Sequence, residues 1–285
     1  MTTAQNHTRS GAGSAFRKYA TYFRIRFTSG LQYRAAAMAG VATQFAWGFL
    51  TVLLYKAFWE ADPASFPMGI AQVTSYMWLR QAFLALFNSW TVDNTILSDI
   101  TGGNIAYELI RPMNLYALWF TKNISMRAAN ATLRFLPVLI VAAVVPAPYG
   151  MGLPAGVPAA LGFVLTMFLG AFVTCAVVMF IYIFTFFTMQ PMGVRMVFNA
   201  VTDFCSGNLV PLPFFPPAMA AVLEYTPFAA MQNIPFRIYS GHIAGWDILR
   251  CAGFQLFWLA VLVFLGSLLM EKALKRAVIQ GGWAV

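Results

Sequence analysis

Charge is scarce in this chain: only 9% of its 285 residues are Asp, Glu, Lys or Arg, and the acids number 9. A soluble domain carries about 25% charged residues. A surface wetted on all sides is therefore excluded, and most side chains must face lipid or other helices. Histidine is nearly absent. His7 lies in the polar start and His242 in a loop, which leaves no pair to hold a metal or act as a base. The 3 cysteines, Cys175, Cys205 and Cys251, stand far apart in or beside apolar runs. They read as packed thiols and give no disulfide framework. No Gly-Lys dipeptide occurs, so a phosphate-cradling G-x-x-x-x-G-K-S/T loop is excluded. With no G-x-S-x-G and no Cys/His cluster either, no catalytic residue, metal site or bound cofactor is expected in this chain.

What is present is apolar. Hydrophobic residues make up 60% of the chain, with 27 Phe and 8 Trp, and the mean hydropathy is +0.69. This composition specifies an all-α integral membrane protein. Six runs are expected to cross: Ala35–Phe58, Ile70–Trp90, Ala128–Val145, Ala159–Thr188, Val194–Val210 and Ile248–Met270. The fourth is too long for a perpendicular crossing and must tilt or emerge into water.

The net charge of +9 does not indicate nucleic acid, because the cations are not gathered on one surface. They flank the apolar runs. Arg9, Arg17, Lys18, Arg24, Arg26 and Arg34 precede the first run. Arg111, Lys122, Arg127 and Arg134 follow the second, Arg195 the fourth, and Lys272, Lys275 and Arg276 the sixth. Only Lys56, Arg80, Arg237 and Arg250 fall elsewhere. The excess of Lys and Arg on the cytoplasmic side then gives six spans with both termini inside. Residues 1–15 are polar and read as disordered, and they lack the apolar core of a signal peptide. Residues 16–34 mix aromatics with cations. They suit either an amphipathic helix lying in the membrane interface or a plain basic flank of the first span. The organisation is a cytoplasmic segment 1–34, a six-span domain 35–271 and a cytoplasmic tail 272–285.

Between the second and third runs lies D-I-T-G-G-N-I-A-Y-E-L-I-R-P-M-N, from Asp99 to Asn114. Gly102 and Gly103 break the preceding helix, and Asn104 can cap a new one beginning at Ile105. Pro112 disfavours helix at Arg111 and ends it. Ile105, Leu109 and Pro112 would share one face, with Glu108 and Arg111 on another. A short amphipathic rod with exposed charge suits a groove on another protein; an interfacial helix without a partner is the alternative.

Within the spans, Arg80 and Gln81 in the second and Asp203 and Asn208 in the fifth are the polar candidates for a path. Charge at such depth faces a cavity or another charge. Arg80 and Asp203 are expected to pair, within one chain or across a dimer, unless one snorkels to an interface. Between the fifth and sixth runs, Pro211, Pro213, Phe214, Phe215, Pro216 and Pro217 cannot continue a helix. The apolar stretches Ala218–Tyr225 and Phe228–Asn233 are helix-compatible. A pair of short helices re-entering the outer leaflet over residues 211–235 is expected, capping a path from outside.

These features resemble the ABC-2 type transporter permeases. The likeness is carried by the basic amphipathic start, G-N-I-A-Y-E-L-I-R-P-M-N after the second span and G-N-L-V-P-L-P-F-F-P after the fifth. The stretch L-I-R-P-M-N is similar to an L-x-R-P-x-N signature in one branch of these permeases. The resemblance implies a dimer, homomeric or with a related permease, working with two ATP-binding cassette ATPase subunits that hold ATP and Mg, usually for export. It implies that residues 95–112, with Asp99, Gly102, Gly103, Asn104, Glu108, Arg111 and Pro112, form the coupling helix, and that the outer hairpin forms the gate. The expected setting is a bacterial inner membrane, with membrane lipids around it and no nucleic acid. The rival is a secondary transporter driven by an ion gradient, which would need broken helices at matching positions of two repeats.

Overall fold

The computed structural model describes residues 12–32, 34–111, 113–275, 278–279 and 282–283. Helices within them are α1 (Ala12–Gly30), α2 (Arg34–Ala61), α3 (Ile70–Ala82), α4 (Leu84–Phe87), α5 (Asn94–Thr101) and α6 (Ala106–Leu109). After these come α7 (Leu115–Val144), α8 (Val157–Thr188), α9 (Pro191–Cys205), α10 (Pro217–Glu224), α11 (Asn233–Tyr239) and α12 (Asp247–Leu274). Two-residue strands β1 (Val278–Ile279) and β2 (Gly282–Trp283) pair antiparallel in the tail, the one departure from an all-helical chain among the described residues.

Four helices are long and apolar enough to cross a membrane: Ala37–Ala61 within α2, and α7, α8 and α12. The other two apolar runs fold differently. The second is divided at Phe83, whose backbone (φ −104, ψ 15) leaves the helical region, so α3 and α4 share it. The fifth gives α9, with 15 residues. At 1.5 Å per residue it reaches about 22 Å, short of the roughly 30 Å hydrocarbon core. It stops at Cys205 rather than Val210 because Gly207 turns the chain in the left-handed region at φ +78. A Cβ there would stand 2.6 Å from the Tyr76 hydroxyl. Tyr76 also donates to the Gly207 carbonyl at 3.0 Å.

α8 is the axis of the bundle. It packs against α12, α11, α7, α9 and α5, which explains why its sequence is apolar on every side. Its buried Thr166, Thr174 and Thr185 return their hydroxyls to carbonyls one turn back, at 2.7, 2.9 and 2.7 Å, so they make no demand on neighbours. Gln255 of α12 donates to the carbonyls of Thr166 and Ala230 at 3.0 and 2.9 Å. A Cβ at Gly170 would stand 2.4 Å from the Met231 carbonyl oxygen. Because the obstacle is backbone, Gly170→Ala must push α8 from the turn that leads into α11. Overpacking of this kind costs about 1–3 kcal/mol. The expected outcome is a lower thermal unfolding midpoint in detergent, with unchanged membrane insertion.

Residues 115–144 form one helix. The expectation of a span starting at Ala128 with Lys122 and Arg127 in its flank is corrected: both lie inside α7 and are buried, because each finds partners that make helix and burial compatible. α1 runs along α7, with the Tyr19 hydroxyl accepting from the Asn114 N–H at 3.1 Å. Between the fifth and sixth runs two short helices form, α10 and α11, but the second starts at Asn233, and 228–232 is a run of turns. α11 is buried against α8 and α3, while α10 lies largely exposed with Leu223 as its inward anchor.

Candidate functional site

The residues between α4 and α7 form irregular backbone, two short helices and a turn, and they are tied down by side chains from α7, α8 and α9. Where α4 ends, the carbonyls of Leu86, Asn88 and Thr91 have no helical donors. Arg127, fully buried on α7, supplies them. Its Nη1 donates to Leu86 O at 3.1 Å and to Asn88 O, its Nη2 to Thr91 O at 2.7 Å, and its Nε to Asn123 Oδ1 at 2.6 Å. The rigid guanidinium fork suits several acceptors around one point.

One turn earlier on α7, Lys122 lies buried with its Nζ 3.2 Å from Asp93 Oδ2 and 2.7 Å from Thr95 Oγ1. Asp93 caps α5 by accepting from the Thr95 N–H at 2.9 Å, and its own N–H donates to the Tyr182 hydroxyl of α8 at 2.8 Å. Arg195 of α9 donates to Asn94 Oδ1 at 3.2 Å and to Trp90 O at 3.3 Å. The root of α5 is therefore held by α7, α8 and α9 together. Burial alone would raise the Asp93 carboxyl; the Thr95 hydrogen bond and the Lys122 charge outweigh it and hold the group below its ordinary 3.8. With the native value depressed, the stabilisation is in full force above 3.8 and is lost as pH falls through the lower native value. Lys122→Met strands a carboxylate and is expected to cost about 3 kcal/mol. Adding Asp93→Asn to it should recover part of that loss, measured by thermal unfolding in detergent at pH 7.

Beyond the cap, Ile96, Leu97 and Ile100 of α5 point inward and join Ile105, Trp119 and Tyr182 in one apolar cluster. Gly102 ends α5, and Gly103 (φ +73) reverses the chain. Asp99 is half-buried on α5 and Asn104 is exposed. The next turn departs from the sequence expectation in three ways. Asn104 does not cap α6: the cap position is Ile105, in helical geometry and with no side-chain bond. Glu108 does not face outward with Arg111 as exposed charge. Its side chain is only 13% exposed and accepts from the Trp119 indole N–H at 3.4 Å, and Arg111 folds back to it at 3.5 Å. A buried indole needs an acceptor, and Glu108 is the one in reach. Ile105 and Leu109 do not share a face either, since Ile105 is buried while Leu109 is 39% exposed. What faces outward is Tyr107 at 71% and Ile110 at 80% exposed, beside Leu109. Pro112 lies outside the described residues.

Arg80, Gln81, Asp203 and Asn208 lie elsewhere, where α3 meets the broken end of α9. Arg80 and Gln81 are buried. Among the described residues no ion pair joins Arg80 to Asp203. Arg80 Nη1 donates instead to the carbonyls of Asn208 and Leu209, and Asp203 Oδ1 accepts from Asn208 Nδ2 at 2.8 Å. Within the chain the expected pairing is corrected to a link through Asn208: freed carbonyls beyond Cys205 are the nearer acceptors for the guanidinium. At the proline cluster, Pro211 is buried and Pro213 half-buried, while Pro216 and Pro217 are exposed. Phe214 packs edge-on against Tyr55 and Phe66 (centroids 5.2 and 5.1 Å), and Phe215 against Phe204 (5.1 Å).

The residues that sequence reading missed are Asp93, Lys122, Arg127 and Arg195. Lys122 and Arg127 carried a signal, two cations with apolar helix on both sides, but it reads equally as a basic flank.

Among curated proteins none matches the chain. Residues 68–281, more than half of the chain and every helix from α3 to α12, match the family described as ABC-2 family transporter protein. With four helices among the described residues long and apolar enough to span a membrane, this chain belongs to the ABC-2 transporter family and is a multi-pass membrane permease subunit.

Proposed function

We propose that this permease is an exporter whose α5–α6 stretch docks into a separate ATP-binding subunit, so that nucleotide-driven closure of the partner is passed to the spans. The observation that carries this reading is the outward apolar group Tyr107, Leu109 and Ile110 on a turn whose root is bonded to α7, α8 and α9. Exposed apolar side chains on a rooted protrusion mark a protein contact. A protrusion hinged only on loops would transmit little.

The reading includes six crossings with both ends in the cytoplasm of a bacterial inner membrane. The second crossing is α3 with α4. The fifth is α9 continued by residues 206–216, an irregular course made tolerable by the Tyr76 and Arg80 bonds to its carbonyls. Asp99, Gly102, Gly103, Asn104, Glu108, Arg111 and Pro112 shape the coupling element. The Arg80–Asn208–Asp203 link and buried Gln81 border the path, and the Pro211–Pro217 cluster with α10 and α11 caps it. A second copy or a related permease completes the path. ATP and Mg belong to the partner ATPase.

The rival ion-driven transporter needs paired broken helices around an ion site. Breaks do occur at Phe83 and beyond Cys205, but Phe83 is packed between the rings of Phe135 and Phe163 (5.7 and 6.1 Å), which offer no oxygen to an ion. The deciding experiment is purification in mild detergent with identification of co-purifying chains. An ATP-binding protein in stoichiometric amount is expected. Robust transport by the isolated chain under a proton or sodium gradient overturns the reading.

A further inference from the structure

A cavity of about 690 Å³ lies between α1, α7 and α8. Its size is in the range of ligand sites, about 300–1,000 Å³. α1 lines it with Phe16, Tyr19, Ala20 and Phe23, spaced i, i+3, i+4 and i+7 and so forming one stripe. Across from them stand phenylalanines of α7 and α8, among them Phe135 and Phe168. The hydroxyls of Thr121 and Thr132, which also border it, donate to the carbonyls of Ala117 and Ala128 at 2.7 and 2.8 Å, and the Tyr19 hydroxyl accepts from the Asn114 N–H at 3.1 Å. The two threonine donors are thereby committed within α7. Phe16 and Phe168 at the rim are highly exposed, so the cavity opens to whatever surrounds the bundle. Its inner wall includes Phe83 and Leu86, the joint from which the α5–α6 stretch departs.

The flank of the stripe is cationic. Arg17 and Arg24, seven residues apart and both exposed, stand one above the other beside the cavity-lining face. α1 contains no acid, and among the described residues no carboxylate pairs with Arg17, Lys18 or Arg24. Arg17 and Lys18 also border a second recess, with Tyr22 and Met113. An apolar hollow bordered by unpaired cations is complementary to an anionic amphiphile. In a multi-pass membrane protein the bilayer supplies one.

We propose that this cavity is a lipid site that takes an acyl chain of an anionic glycerophospholipid, with the phosphate against Arg17 and Arg24. The chain would fill the space behind Phe83, so occupancy stiffens the joint above the α5–α6 stretch. The proposal concerns the permease alone and stands apart from the identity of its ATPase.

Native mass spectrometry of the purified full chain in mild detergent, titrated with phosphatidylglycerol or phosphatidylcholine, tests it. One phosphatidylglycerol should be retained per chain about 30-fold more tightly than phosphatidylcholine, the equivalent of about 1 kcal/mol for each of two cations. Arg17→Gln with Arg24→Gln should erase that preference and leave phosphatidylcholine retention unchanged. Ala20→Trp with Thr132→Trp, both at exposed positions, should fill the hollow and abolish retention of both lipids. Ile140→Trp, on an exposed part of α7 away from the cavity, should retain phosphatidylglycerol normally. Equal retention of the two lipids by the native chain overturns the proposal. So does undiminished phosphatidylglycerol in the filled variant, which would place the lipid elsewhere. If the tryptophan pair fails to fold, the arginine pair on the exposed flank decides alone.

Discussion

Arg127→Met is expected to destabilise the protein by at least about 3 kcal/mol. The side chain is fully buried, and it engages three main-chain carbonyls and the Asn123 amide. Methionine fills similar space but donates nothing. The carbonyls of Leu86, Asn88 and Thr91 would then be stranded in an apolar setting, at about 1–3 kcal/mol each when no other donor moves in. Against a total stability of roughly 5–15 kcal/mol for an ordinary domain, that is a large fraction. Arg127→Lys should fall between, because one ammonium cannot reach acceptors spread around a planar fork. The measurements are the thermal unfolding midpoint in detergent and the rate of proteolysis in residues 88–111. For Met, both should change while the long helices still insert. An unchanged midpoint would mean that water or another side chain satisfies the carbonyls, and that Arg127 is not the clamp.

The second large effect concerns the outward face of α6. Tyr107→Asp and Ile110→Asp place a charge where a docking surface would bury an apolar group. Residues at the centre of an interface typically cost about 2 kcal/mol or more when altered, so retention of the ATP-binding partner should weaken about 30-fold, with transport lost in proportion. Because both side chains are mostly exposed, the midpoint of the permease itself should not move. Glu108→Gln makes the contrast. Its carboxylate serves Trp119 and Arg111 within the chain, so it should lower stability modestly and affect docking only through the shape of the turn. Full partner retention in both aspartate variants, together with normal transport, would show that α5–α6 is an interfacial structure and not the docking element.

The sequence alone was enough for statements that depend on local, additive properties. A chain with so few charges and such long apolar runs has to lie in a bilayer, and α2, α8, α12 and the second half of α7 are legible as runs that need no partner to be helical there. The double glycine at 102–103 and the proline cluster at 211–217 mark breaks because backbone geometry at those residues is restricted whatever surrounds them. Family membership was legible for the same reason: short motifs in a fixed order of apolar runs.

Tertiary structure decided everything that turns on which partner a side chain finds. Lys122 and Arg127 look like a basic flank until the carbonyls of Leu86, Asn88 and Thr91, 36 to 41 positions away, are folded around the guanidinium. Arg80 looks like a mate for Asp203 until the chain breaks beyond Cys205 and offers nearer carbonyls. α9 ends where Tyr76, 131 positions distant, fills the space beside Gly207. The stretch at Asp99–Asn114 shows both sides. Its break follows from Gly102 and Gly103, but its outward face does not, because a buried Trp119 drew Glu108 inward and left Tyr107 and Ile110 outside. Apolar length is summed along the chain, whereas the satisfaction of a buried polar group is a property of the neighbours that only folding brings together.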